Sequence, residues 1–91
     1  MTKRPATKLE YTRGFLESYS HLPQFIQKKV KRHLDYLAQD ITHMSLRTRK
    51  MADLDGIWEA RIDSRYRFTF DLSDGYIRLR ALGTHDIYQR P

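Results

Sequence analysis

Cysteine is absent from the 91-residue chain, which excludes disulfide staples and any cysteine-built metal or redox centre. A secreted domain this small usually needs such staples, so the reading is a cytoplasmic protein held by its core alone. Proline and glycine are scarce, at three and four residues, and no segment is of low complexity, which excludes collagen-like and linker-like chains. Long apolar runs are missing as well. The longest are two or three residues, as in Tyr36-Leu37-Ala38, so no membrane span is expected. The start, MTKRPATK, has no apolar stretch of the kind a signal peptide needs. The histidines are few, and His21, His33 and His43 show no ligand spacing with one another or with carboxylates. Neither a metal site nor a small-molecule cofactor is expected.

What is present is enough apolar residue (40%) for one core, and a chain this short cannot divide it between two. Residues 1–91 therefore read as a single domain. Seventeen Lys+Arg against eleven Asp+Glu give 17 − 11 = +6, with a pI near 9.8. Eleven of the seventeen cations are arginines, whose planar forks suit bidentate phosphate contacts. Such a balance suggests a polyanionic partner, most often nucleic acid, against the alternative of a soluble domain that is merely basic.

Hydrophobic periodicity divides the chain. Residues 1–7 are polar, with Pro5, and read as a frayed or edge-pairing start. Leu9 and Tyr11 alternate with Lys8, Glu10 and Thr12, as in a short strand. Phe15, Leu16 and Tyr19 then fall at helical spacing, up to a stop at His21-Leu22-Pro23. Pro23 suits the first position of a second helix, in which Phe25, Ile26, Val30, Leu34 and Leu37, with Ala38, form the apolar face. Lys28, Lys29, Lys31, Arg32 and Asp35 take the other face. Residues 40–55 read as a connector anchored by Leu46 and Met51.

Beyond the connector the period becomes two. Trp58, Ala60 and Ile62, then Tyr66, Phe68 and Phe70, then Ile77, Leu79 and Ala81 mark three strands, with a turn at Ser73-Asp74-Gly75. The predicted class is α+β: an N-terminal strand, a helical hairpin, then a three-stranded antiparallel meander with the helices on one face. Keeping the apolar residues on one face pairs Arg61 with Arg67, Glu59 with Thr69, Phe68 with Leu79 and Arg67 with Arg80. Arg61, Arg67 and Arg80 would then form a row across the open face. Like charges directly opposite each other destabilise a sheet by up to about 1 kcal/mol per pair, and bound phosphate would relieve the repulsion. Alternatively the three are solvated arginines whose tips splay apart, with Glu59 and Asp63 as partners. Just past the row stands His85, able to move a proton near neutral pH, and then Tyr88, able to stack on a base.

The stretches LPQFIQKKVKRHLDYL, MSLRTRKM, GIWEARIDSRYRFTF and IRLRALGTHDIYQRP follow one another from Leu22 onward. Their W-E-x-R, Y-R-x-x-F and G-x-H-D-x-Y patterns, in this order and spacing, resemble the RelE/ParE superfamily of toxins from toxin–antitoxin pairs. The resemblance implies a helical hairpin packed on a twisted sheet. In the RelE-like branch it implies metal-independent cleavage of messenger RNA, commonly in the ribosomal A site, and a cognate antitoxin as partner. It maps phosphate contact onto Arg67, a basic strand position onto Arg61, and the terminal catalytic region onto His85 and Tyr88. The strand position where some relatives carry a catalytic lysine is here nearer Glu59, which leaves two roles open for it, base or restraint on the arginines. The ParE-like branch shares the fold, poisons DNA gyrase and lacks a nuclease site; a plain nucleic-acid-binding module is a further alternative.

RNA supplies its own 2′-OH nucleophile, so such an enzyme needs a base, an acid and cations. The assignment is Arg61 and Arg67 as cations with Arg80 in support, His85 as acid, Glu59 as base and Tyr88 orienting or stacking. Arg47, Arg49, Lys50 and Arg78 complete the set expected to hold the RNA backbone.

Overall fold

The computed structural model describes residues 8–91 apart from Asp53 and Asp74. The polar start with Pro5, Asp53 of the connector and Asp74 of the anticipated turn lie outside the described residues. Strand β1 (Lys8–Tyr11) leads into helices α1 (Arg13–Ser20) and α2 (Gln24–Gln39). A 3-10 turn (Met44–Leu46) and the two-residue strand β2 (Arg49–Lys50) follow. The long strands are β3 (Ile57–Arg61), β4 (Arg67–Ser73) and β5 (Tyr76–Gly83), and a second 3-10 turn covers His85–Tyr88. The sheet order is β1-β5-β4-β3-β2, with β1 parallel to β5 and the other neighbours antiparallel.

Local chemistry explains the boundaries. Thr12 caps α1, its hydroxyl oxygen accepting from the Phe15 N–H at 3.2 Å while the hydroxyl donates to the Arg80 carbonyl at 2.9 Å. Pro23 stands at the cap of α2, one position earlier than the pattern placed it, with extended backbone. In α2, Ile26, Val30, Leu34 and Leu37 are buried, whereas Phe25 is 64% exposed. The expectation for Phe25 is therefore corrected. It is one residue, about 100° of helical turn, away from the Ile26–Val30–Leu34 line, and only one of two adjacent positions can face the sheet.

Phe15, Phe68 and Phe70 meet the α2 residues and Ile77, Leu79, Leu82 and Leu46 in one cluster of buried hydrophobics, with Tyr66 half-buried against it. Each such side chain contributes on the order of 1.5–3 kcal/mol through burial. Phe15 and Phe68 meet edge to face, with ring centroids 6.4 Å apart.

Two features of the sheet depart from the sequence reading. The connector 40–55 contains β2, which pairs Arg49 with Glu59 and Lys50 with Trp58, so the sheet gains a fifth strand. Met51 is only partly buried, and Leu46 is the connector's buried anchor. The β4–β5 hairpin, in turn, carries a bulge between Thr69 and Phe70. Phe70 pairs with Leu79 but Phe68 pairs with Leu82, so β5 has one more residue than β4 over this stretch. Even before the bulge the hairpin is two residues off the expected register, with Ile77 opposite Leu72 and not Phe70, so the expected Phe68–Leu79 and Arg67–Arg80 pairs do not form: Arg67 faces Gly83. Leu82 turns inward in place of Ala81. At the hairpin tip Ser73 pairs with Tyr76, and Gly75 takes the left-handed conformation such a tight turn demands (φ +82). Among the described residues, no helix is long and apolar enough to cross a membrane.

Candidate functional site

The first hairpin keeps the expected register, with Arg61 opposite Arg67 and Glu59 opposite Thr69. Glu59 and Arg67 are thereby diagonal neighbours on the open face, within reach of each other's side chains. The Arg67 guanidinium donates to Glu59 Oε1 at 3.3 Å. Tyr88, arriving from the C-terminal 3-10 turn, donates its hydroxyl to the same oxygen at 3.0 Å and accepts from Arg67 Nη1. The guanidinium carbon also lies 5.8 Å from the centre of the Tyr88 ring. Arg49, delivered by β2, forms an ion pair with the other carboxylate oxygen at 3.6 Å.

Burial gives the cluster its character. The side chains of Glu59 and Arg67 are only 8% and 12% exposed, against 68% for Arg49. A carboxylate this buried needs partners for its charge, and it has three. Arg49 is the exposed one of the three, on the side from which an anion would approach.

Gly83 lets the turn that carries Tyr88 pack closely on the end of β5. A Cβ there would lie 3.1 Å from both Asp86 Oδ1 and Ile87 Cγ2, so a side chain would make Asp86 and Ile87 give way by a few tenths of an ångström. Ile87 is buried and pins the turn. His85 opens the same turn and is exposed, its ring centroid 6.1 Å from that of Tyr88. A cleft of about 520 Å³ opens beside the cluster, lined by Arg49, Met51, Leu54, Glu59, Tyr88 and Pro91 among others.

The remaining sequence candidates scatter. Arg80 does not extend the row: the hairpin register makes it a diagonal neighbour of Asp71, with an ion pair of 2.9 Å, and it donates to the Pro91 carbonyl at 3.0 Å. Lys50 alternates away from Arg49, its ammonium 5.4 Å from the Trp58 ring centre. Arg78 pairs with Asp71, four residues or about 13 Å along β4 from Arg67. The Tyr76 hydroxyl accepts from Arg78 at 2.9 Å and, with Asp71, pushes its pKa up. Arg47 is exposed in left-handed backbone (φ 47) at the end of the first 3-10 turn. Arg61 is partly exposed beside Arg67. Thr69, overlooked as a site residue, is fully buried beneath the C-terminal segment and donates to the Pro91 carbonyl at 2.8 Å. Its only sequence signal is a hydroxyl between two phenylalanines. Among the described residues no group of three His, Cys, Asp or Glu could hold a metal ion.

The cluster thus brings together a carboxylate, a buried guanidinium, a phenol and an exposed arginine, with a histidine beside them. It can bind an anion and exchange protons. Solved structures with the same architecture include the YoeB dimer from Staphylococcus aureus (16% identity, 88% of this chain and 98% of that one, TM-score 0.75), RelE of Pyrococcus horikoshii in complex with RelB (14%, 87% and 94%, TM-score 0.73), and the E. coli DinJ–YafQ toxin–antitoxin complex (19%, 90% and 96%, TM-score 0.63). The chain has the RelE/YoeB toxin fold. No family model and no curated protein sequence matches it.

Proposed function

We propose that this chain is the toxin of a toxin–antitoxin pair and acts as a metal-independent messenger-RNA endoribonuclease. The observation that carries the proposal is the Glu59–Arg67–Tyr88 cluster on the open face, flanked by Arg61, Arg49 and His85. The architecture shared with RelE, YoeB and YafQ supports it.

The scissile phosphate takes over Arg67 and Arg49 from Glu59, and Arg61 adds charge from the neighbouring strand. Glu59, released from its cations, accepts the proton of the 2′-OH. The 2′-oxygen attacks phosphorus, the bond to the 5′-oxygen breaks, and His85 in its protonated form delivers a proton to that leaving oxygen. The products are a 2′,3′-cyclic phosphate and a 5′-hydroxyl. Tyr88 orients Glu59 and offers its ring face to a base in the adjoining cleft. Guanidinium groups fixed before the reaction stabilise the charge that grows on phosphorus. Arg47, Lys50 and Arg78 contact the RNA or ribosomal backbone without reading sequence. Arg80 has a structural task instead.

The partner is a cognate antitoxin with an acidic binding segment, complementary to the +6 charge of this chain. The RelE–RelB and DinJ–YafQ complexes support that reading. The protein acts in the cytoplasm, on messenger RNA at the ribosome.

Primer-extension mapping of messenger RNA after induction tests the proposal, together with cleavage by purified protein and ribosomes in EDTA. Discrete cuts ending in 2′,3′-cyclic phosphate are expected, and substrate lacking the 2′-OH at the cut stays intact. Strict dependence on Mg²⁺ overturns the mechanism. Growth arrest with intact messenger RNA moves the protein to a gyrase-directed, non-enzymatic class.

A further inference from the structure

The C-terminal segment that carries His85 and Tyr88 is tied down at two points, buried Ile87 and Pro91. The Pro91 carbonyl accepts from the Thr69 hydroxyl at 2.8 Å and from Arg80 Nε at 3.0 Å. Arg80 is held in turn by Asp71 at 2.9 Å. These groups converge because of the bulge. The extra residue in β5 frees the Ala81 N–H from the regular ladder, and the Thr69 hydroxyl oxygen accepts it at 3.1 Å. On the other side, the freed Arg80 carbonyl takes the Thr12 hydroxyl. A bulge re-aims side chains, and here it points a strand arginine at the chain segment that crosses the sheet.

Thr69 is 0% exposed in the central strand, where valine would match its shape. Its hydroxyl has one proton and two lone pairs; the proton goes to Pro91 and a lone pair to Ala81. The hydroxyl is therefore committed to the bulge and to the C-terminal segment at once.

We propose that Thr69 and Arg80 are positioning residues: by gripping Pro91 they hold the C-terminal segment across the open face, so that Tyr88 reaches Glu59 and Arg67. Neither touches the reacting atoms. The catalytic consequence rests on the RNA-cleaving reading above, whereas the anchoring does not.

The test uses the full chain as Thr69→Val, Thr69→Ser and Arg80→Met, read by amide hydrogen exchange and by cleavage kinetics. Thr69→Val should speed exchange of the Gln89 and Arg90 amides, which donate to Asp86 and Ile87 carbonyls, by about tenfold while β3 amides stay protected. It should lower kcat by about 10- to 100-fold with KM nearly unchanged, as a small misplacement of catalytic groups does. Thr69→Ser should restore both readings. Unchanged exchange and kcat in Thr69→Val, or no rescue by serine, overturns the proposal. If Thr69→Val fails to fold, Arg80→Met decides: the same loosening supports the anchor and its absence refutes it. Should the wild-type protein cleave no RNA, the enzymatic reading falls, and exchange alone still decides the anchoring.

Discussion

Tyr88 and Glu59 are 29 residues apart in the chain, yet the Tyr88 hydroxyl donates to Glu59 Oε1 at 3.0 Å. The same carboxylate oxygen holds Arg67, so three groups of the proposed reaction neutralise and orient one another before any substrate arrives. A phosphate must then compete with Glu59 for the guanidinium. The exchange costs part of the binding energy and leaves the carboxylate held by the Tyr88 hydroxyl, without its two cationic partners.

Glu59→Gln separates these effects. An amide of the same shape still accepts from Tyr88, while the negative charge on Arg67 and Arg49 is gone. RNA should bind several-fold more tightly at low salt, with the gain shrinking as salt rises, and cleavage should fall by about 100-fold or more. Anisotropy titration and single-turnover cleavage measure the two. Weaker RNA binding would show that Glu59 does not restrain the arginines.

Arg67→Ala should abolish growth inhibition, with cleavage reduced by about 10²–10³-fold. From the sequence alone its removal costs little stability, because Arg61 stands opposite and repels it. The structure changes that expectation. Arg67 neutralises a buried carboxylate, and leaving Glu59 with the exposed Arg49 and Tyr88 should cost about 1–3 kcal/mol. Urea unfolding gives the second number, and a variant as stable as wild type contradicts the buried-pair account.

The elements that repeat a period over several residues were legible: the helical hairpin, the aromatic faces of β3 and β4, and the opposition of Arg61 and Arg67. Leu82 shows where legibility stops. Ala81 and Leu82 are both apolar, so alternation cannot tell which of them faces the core, and one inserted residue shifts everything beyond it. Together with a hairpin tip that sets Phe70 opposite Leu79 and not Ile77, that shift removed Arg80 from the expected row, and it meets Asp71 and Pro91. β2 is too short to show a period at all, although it is what brings Arg49 to Glu59. The contact of Tyr88 with Glu59 depends on a tail folding back across the sheet, which no local pattern encodes.

His85→Gln addresses the acid. His85 is exposed and adjoins Tyr88, so its loss should leave folding and RNA affinity nearly unchanged. Cleavage should slow by about 100-fold, the mark of a group acting in the transition state. A substrate whose 5′-leaving group needs no proton, such as a 5′-phosphorothiolate, should recover most of the rate. If that substrate is cut no faster by the variant than ordinary RNA, another group serves as acid.

Asp63 ties the β3–β4 turn that sets Arg61 against Arg67. Its Oδ1 accepts from the Arg65 and Tyr66 amides at 2.9 and 2.8 Å, and Oδ2 meets the Lys29 ammonium at 3.3 Å. Partial burial alone would raise its pKa, but these donors outweigh it and hold the carboxyl below the ordinary aspartate value. A folded-state pKa lower than the unfolded one means that the unfolded chain binds the proton more readily. The stabilisation is therefore fully present above the unfolded pKa, near 4, and is lost as pH falls through the lower folded value. Asp63→Asn keeps an oxygen for the two amides and removes the charge. It should be less stable than wild type at neutral pH, with the gap closing in acid. Urea midpoints of both proteins from pH 7 to pH 3 provide the comparison. Parallel curves would show that the charge of Asp63 does not stabilise the turn.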